Sequence, residues 1–168
     1  ATSGVGTVLQ LAMELLKERS GIFVTHVPYR GGAQIATDVI GDQVDLAMLV
    51  STSAIPHVNG KRLKALGITG SQRLPALAQV PTFNEMPGLK GFDMVSWTGI
   101  FAPAKTPPAV VARLNQELNA VLQEEGVRAK LAEQGALPGS GTPEAFGKFV
   151  QSEYARNKKI VETANIKE

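Results

Sequence analysis

Val8, Leu11, Ala12, Leu15 and Leu16 recur at the three-and-four spacing that lines one face of a helix, and Ser20-Gly21 interrupts the run. The spacing predicts a helix over about 7–19. A short β-branched stretch, 22–27, reads as a strand, and Pro28-Tyr29-Arg30-Gly31-Gly32 is the turn that opens a second helix. Ala36, Val39 and Ile40 form the apolar face of that helix and Gly41 stops it. The nearly continuous apolar run 44–50 then fits a strand buried on both faces of a parallel sheet. Helix, strand, helix, strand is the order of βαβ units.

Further along, the Ser/Thr cluster from Ser51 starts another helix, which Pro56 limits to about a turn unless it lies near the start; Asn59-Gly60 ends it. Residues 63–68 read as a strand, 70–87 as irregular chain with a short helix after Pro81-Thr82, and 92–101 as extended. Beyond Pro103 only helices are predicted. Thr106-Pro107-Pro108 supplies a cap and a first-turn proline, with Val110, Val111, Leu114, Leu118, Val121 and Leu122 in one stripe. A short helix follows over 127–134, and Thr142-Pro143-Glu144 opens a last long one whose buried face carries Phe146, Phe149, Val150, Ile160 and Val161. The expected division is an α/β lobe over 1–93, holding one half of a ligand site, and a crossover strand with helices of another lobe over 94–168.

Composition narrows the function classes. The chain of 168 residues has 43% apolar and 19% charged residues, which suits a folded domain, and 17 basic against 15 acidic residues give a net charge of +2. The basic residues are scattered in pairs such as Lys61-Arg62, so no stripe argues for nucleic acid. No cysteine is present, which removes disulfides, thiolate nucleophiles and Cys-type zinc sites. There is no run of eighteen apolar residues. Ala1-Thr2-Ser3 reads as the end of a strand inside a longer protein.

The candidate chemistry is anion binding. Ser3-Gly4-Val5-Gly6-Thr7 stands before the first helix, where amides lack intrahelical acceptors and the helix dipole favours negative charge. A capping role for Ser3 or Thr7 would account for the same residues without a ligand. Arg30, beside Tyr29 at the second turn, is either a solvated arginine or the counter-charge of an acid. His26 and His57 lack a partner serine or paired carboxylate, so they read as structural and offer neither a triad nor a metal site. Asp38, Asp42 and Asp45 fall on different elements and read as cap and surface residues, and Trp97 as core. Gly4-Val5-Gly6 lacks the third glycine of a dinucleotide fingerprint, and a phosphate-loop Gly-Lys-Ser/Thr is missing.

The order of pieces carries more than any one of them: Ser3 to Thr7 before a helix, His26-Val27-Pro28-Tyr29-Arg30-Gly31-Gly32, Gly41-Asp42-Gln43-Val44-Asp45-Leu46, Pro56-His57-Val58-Asn59-Gly60-Lys61, Leu63 to Thr69, Val80-Pro81-Thr82, Trp97-Thr98-Gly99 and Ala102-Pro103-Ala104. In that order the chain resembles the Bug family, the substrate-binding proteins of tripartite tricarboxylate transporters, through essentially all of its length. The resemblance implies a type II periplasmic-binding-protein fold, α/β, whose two lobes close around a small carboxylate. It implies a periplasmic location, membrane transporter subunits as partners, and neither catalysis nor a cofactor. Carried onto this sequence, it places Ser3, Gly4, Gly6 and Thr7 at one carboxylate, Tyr29, Arg30 and Gly31 on the neighbouring turn, and Ser51 after the Val44-Asp45-Leu46 strand. Many relatives carry an acidic residue and an amide after that strand, where this chain has Leu49-Val50, which favours acids without an amino group.

The same resemblance implies an N-terminal segment before Ser3 that supplies most of the first lobe's sheet and the facing half of the site. The expectation is therefore a fragment that pairs with its N-terminal part or self-associates through its uncovered helical stripes, and that binds ligand weakly by itself. The alternative function is a cytoplasmic ligand-sensing domain of a transcription regulator; an enzyme using His26 or His57 is the third.

Overall fold

A computed structural model describes residues 1–167. The described residues form six helices, α1 (Val8–Ser20), α2 (Gly32–Ile40), α3 (Ser51–Asn59), α4 (Pro108–Val121), α5 (Glu125–Glu133) and α6 (Pro143–Thr163), with single 3-10 turns at Pro75–Leu77 and Phe83–Glu85. Local chemistry sets their ends. Thr7 caps α1 and Gly21 stops it in the left-handed conformation at φ 69°, donating its N–H to Lys17 O. Thr142 caps α6 by accepting from the Ala145 amide, with Pro143 at the first helical position. At α4 the expected Thr106 cap is replaced by Pro107, because the helix begins one residue later, at Pro108.

The predicted strands 22–27, 44–50 and 63–68 do not form as such: among the described residues no ladder forms, and the chain bends at Val44, Asp45 and Leu63. Only two isolated parallel bridges occur, Thr2 with Pro28 and Ile68 with Thr82. The reason is geometric. A strand needs a paired neighbour along its length, and the two stretches 22–28 and 44–48 meet only Ala1 and Thr2 between them. The Ala1 ammonium donates to Leu46 O at 2.7 Å and Met48 N–H to Ala1 O at 3.0 Å; opposite, Thr2 N–H donates to Val27 O at 3.2 Å and Tyr29 N–H to Thr2 O at 2.9 Å. Phe23, in the part of that stretch that Thr2 does not reach, is 89% exposed.

Pro56 also departs from expectation. It sits inside α3, which continues to Asn59. Proline removes one N–H and crowds the carbonyl four residues back, and α3 absorbs both with Ile55 buried against Leu77 and Val80.

The main core lies between α1 and the segment 83–94. Leu11, Ala12 and Met13 pack with Met48, Phe83, Leu89, Phe92, Met94 and Ile160. Phe83 and Phe92 meet edge to face, centroids 5.2 Å apart at 82°. Ile160 brings the C-terminal half of α6 onto α1, and Arg156 fastens it by donating to Asp93 O and pairing with the buried Glu153 carboxylate at 2.6 Å. The N-terminal half of α6 instead faces an aromatic group on the surface. Trp97 is edge-on to Phe146 and Phe149, and Phe101 leans on Phe146. The expectation of Trp97 as core is thus corrected: it belongs to a half-exposed aromatic cluster, and Val110 and Leu114 of the α4 stripe are similarly uncovered.

Candidate functional site

The two bridged stretches and the Ala1–Thr2 segment run parallel, and each is followed by a helix. Parallel βα turns must emerge on one edge, so the N-termini of α1, α2 and α3 open side by side. Contacts confirm the order. A methyl group added at Gly4 would lie 3.6 Å from Tyr29 O, and one added at Gly32 would lie 2.7 Å from Ser53 Oγ and 3.8 Å from Leu49 Cδ2. The first turn therefore touches the second, and the second touches the third.

The first turn is tied down by side chains. Thr7 Oγ1 accepts from the Gln10 amide at 3.4 Å and donates to Gly4 O at 2.9 Å. Thr2 Oγ1 donates to the same carbonyl at 3.3 Å and lies 2.6 Å from His26 Nε2. Gly6 N–H donates to Gln10 Oε1 at 2.7 Å. Gly4 (φ 131°) and Gly6 (φ 72°) hold conformations that side chains resist. Ser3 is half-buried on this turn.

The second and third turns are more open. Gly31 is the N-cap of α2 and Val50 that of α3, and neither helix has a side-chain cap bond. Their first amides therefore face solvent or a ligand. Tyr29 does not point its hydroxyl at this edge; it donates to Asp38 Oδ2 of α2 at 2.7 Å, a bond that raises the phenol's pKa. Arg30 is exposed and makes no ion pair among the described residues. Ser51 opens α3, but its hydroxyl donates to Gln134 O and Gly135 O, each at 3.2 Å, which draws the end of α5 onto this helix start.

The Asp38 carboxylate, near the far end of α2, is engaged by the Tyr29 hydroxyl. His26 is shifted toward the neutral form by burial, then by the nearby Ala1 ammonium, while Glu14 opposes this and Lys17 adds to it. A neutral imidazole beside Thr2 suits a hydrogen-bonding role. Among the described residues no three His, Cys, Asp or Glu side chains converge as metal ligands.

Thus Ser3, Gly4, Gly6, Thr7, Tyr29, Arg30, Gly31 and Ser51 lie on one edge, but they differ in what remains free. Thr7, Gly6, Tyr29 and Ser51 have committed their polar groups within the chain. The backbone starts of α2 and α3, and the opening amides of α1 at Val8 and Leu9, have not. Gln10, Asp38 and Thr2 were missed as supports, whereas His26 has the structural, hydrogen-bonded role its sequence context suggested. Thr7-x-x-Gln10 has capping-box spacing, which was the available signal for Gln10.

Comparison with known proteins places this geometry in context. The sequence model of the family described as "Tripartite tricarboxylate transporter family receptor" matches residues 1–166. A UPF0065 protein from Pseudomonas sp. strain P51 is 38% identical over 161 residues, covering 96% of this chain and 48% of that protein. Another from Pseudomonas knackmussii is 32% identical over 92% of this chain and 91% of its own length. The chain thus spans about half the length of the first relative and nearly all of the second. Among solved structures, an R. palustris protein with adipate superposes with TM-score 0.84 at 33% identity, covering 98% of this chain and 56% of that one. MatC from Rhodopseudomonas palustris with bound malate gives 0.79 at 32% identity, covering 95% and 55%, and the periplasmic binding protein BugD gives 0.80 at 28%, covering 99% and 56%.

Proposed function

Since the chain belongs to the tripartite tricarboxylate transporter receptor family, we propose that it holds one wall of a site that captures a small carboxylate in the periplasm and presents it to a membrane transporter. One carboxylate group of the ligand rests at the edge where α1, α2 and α3 begin. Amides from the Ser3–Gly4 and Gly31–Gly32 turns and from Ser51 receive its oxygens, and Arg30 supplies long-range positive charge. Thr7 and Tyr29 shape that wall through the loops they hold. No bond in the ligand is made or broken, since the family consists of solute receptors.

The observation that carries the reading is the side-by-side opening of three helix starts, two of them without a side-chain cap. Adipate and malate in two similar structures supply the class of ligand, an acid without an amino group. That agrees with Leu49-Val50 after the third extended stretch, where a carboxylate partner for a ligand ammonium is lacking. The facing wall comes from sequence of the extent found in the longer relatives. Closure follows because a ligand touching both walls favours the closed arrangement by its extra contacts there.

Weak binding by one wall can still be localised. The 15N-labelled chain is titrated with adipate or malate to millimolar concentration while amide shifts are followed by NMR. The expected result is a saturable set of shifts confined to 3–9, 31–34 and 51–53. Shifts elsewhere, or equal shifts with the neutral diamide of adipate, refute the assignment.

A further inference from the structure

Gln10 is 7% exposed, a buried carboxamide on a helix whose neighbouring buried residues are Leu11, Ala12 and Met13. A polar group in such a place is costly unless bonded. Its Oε1 takes the Gly6 N–H at 2.7 Å, and its own backbone N–H reaches Thr7 Oγ1, whose proton goes to Gly4 O. One residue therefore fastens the turn 4–7 by both its side chain and its main chain. Gly6, at φ 72°, gains nothing from a side chain of its own, so the direction of its amide depends on this bond.

We propose that Gln10 is the positioning and charge-selecting residue of this turn: it withdraws the Gly6 amide from the ligand while adding no negative charge behind the amides that meet it. The inference rests on the carboxylate-binding reading above. An acidic side chain at position 10 would accept the same N–H as well or better. It would also set a full negative charge beside the anion's seat, against the field of α1. A carboxamide is the acceptor that holds the turn and leaves the site attractive to acids. His26, which reaches this turn through Thr2, is itself under the influence of the Ala1 ammonium and of Glu14 and Lys17 on α1.

Two substitutions separate the roles. Gln10→Met keeps the length and burial but removes the acceptor; Gly6 amide hydrogen exchange, measured on the ligand-free chain, should accelerate about tenfold. Unchanged exchange overturns the positioning role whatever the ligand does. Gln10→Glu keeps Gly6 protected while adipate affinity, read by the same NMR titration, should fall on the order of tenfold at neutral pH. That loss should recover as pH drops through the introduced carboxyl's titration, relative to the wild-type profile in which His26, Glu14 and Lys17 are common to both proteins. A pH-independent ratio between the two proteins overturns the charge-selecting role. If the wild-type chain shows no adipate shifts at the three turns, the carboxylate reading fails, while the exchange experiment still decides whether Gln10 sets the turn.

Discussion

Replacing Thr7 with Val tests whether this residue acts by capping or by touching ligand. Valine keeps the β-branched shape and removes the hydroxyl, so the loss is confined to two hydrogen bonds. The bond from the Gln10 amide is long at 3.4 Å, which puts its capping contribution at the low end of the usual range, about 0.5 kcal/mol. The bond to Gly4 O is 2.9 Å and part-buried, worth about 1 kcal/mol. Thr2 stays on that carbonyl at 3.3 Å and limits the damage. The sum, about 1.5 kcal/mol, corresponds to a fall in Tm of roughly 3–6 °C for a chain of this size. Thermal unfolding by circular dichroism reads it directly. Thr7→Ser, which restores the hydroxyl, should recover most of the loss. A Thr7→Val protein with the wild-type Tm would refute the capping argument, and a Thr7→Ser protein as unstable as Thr7→Val would show that the methyl group rather than the hydroxyl was responsible.

Gly67→Ala should destabilise by about 1–3 kcal/mol in urea unfolding, because the new methyl collides with the Cδ1–Cε1 edge of the Phe83 ring and lies 3.1 Å from Met86 Cε; Phe83→Leu should be less harmful in that background than alone. Phe92→Ala, at a side chain with no exposure, should cost about 3–5 kcal/mol by the same assay. The Arg73 guanidinium and the Thr82 amide hold the Glu85 carboxyl down at about 2, from an ordinary 4.5. The folded pKa is depressed, so the stabilisation is complete above about 4.5 and disappears as pH falls toward 2. Acid unfolding of Glu85→Gln should lose that dependence, and an unchanged acid profile would refute the linkage. The exposed aromatic cluster should drive association at micromolar concentration, and Phe101→Ser with Phe149→Ser should shift sedimentation toward the monomer.

Helices were readable because their signals are local. The stripe of Val8 to Leu16, the Thr7 and Thr142 caps and the Gly21 and Gly41 stops each lie within a few residues of what they decide. The 3-10 turn after Pro81-Thr82 was legible for the same reason, since Glu85 reaches back three residues to the Thr82 amide. Strands were not, because a β-branched run such as 22–27 reports only willingness to pair, and the partner is set by distant sequence. Trp97 went astray through the same kind of non-locality: its environment is made by Phe146 and Phe149, about fifty residues away. In the candidate site, the glycine and hydroxyl residues singled out in the sequence come together on one edge. What they did not reveal is that several hydroxyls point into the chain, a matter of rotamers and of partners such as Asp38 and Gln134 O.

The three helix starts are unequal, and the inequality bears on which of them meets a ligand. α1 satisfies its own entry with Thr7 and Gln10, in the manner expected of a helix built for stability. α3 has Val50 as its N-cap, a residue with no side-chain acceptor and among the poorer caps, although Ser51 and Thr52 stand next in line. Ser51 does not take the capping role: it is already the first helical residue, and its hydroxyl is turned away from the helix start toward Gln134 O and Gly135 O, where Gly135 has no room for a side chain, its added methyl lying 2.7 Å from Ser51 Cβ. The α5 end thus keeps α3 uncapped. A helix that forgoes a cap available one residue away leaves its amides to an external acceptor. Ser51→Ala should therefore change the ligand's seat indirectly, by releasing the 134–135 turn. Amide shifts of Gln134 and Gly135 should move together with those of Thr52 and Ser53 on substitution, and movement of either pair alone would refute the coupling.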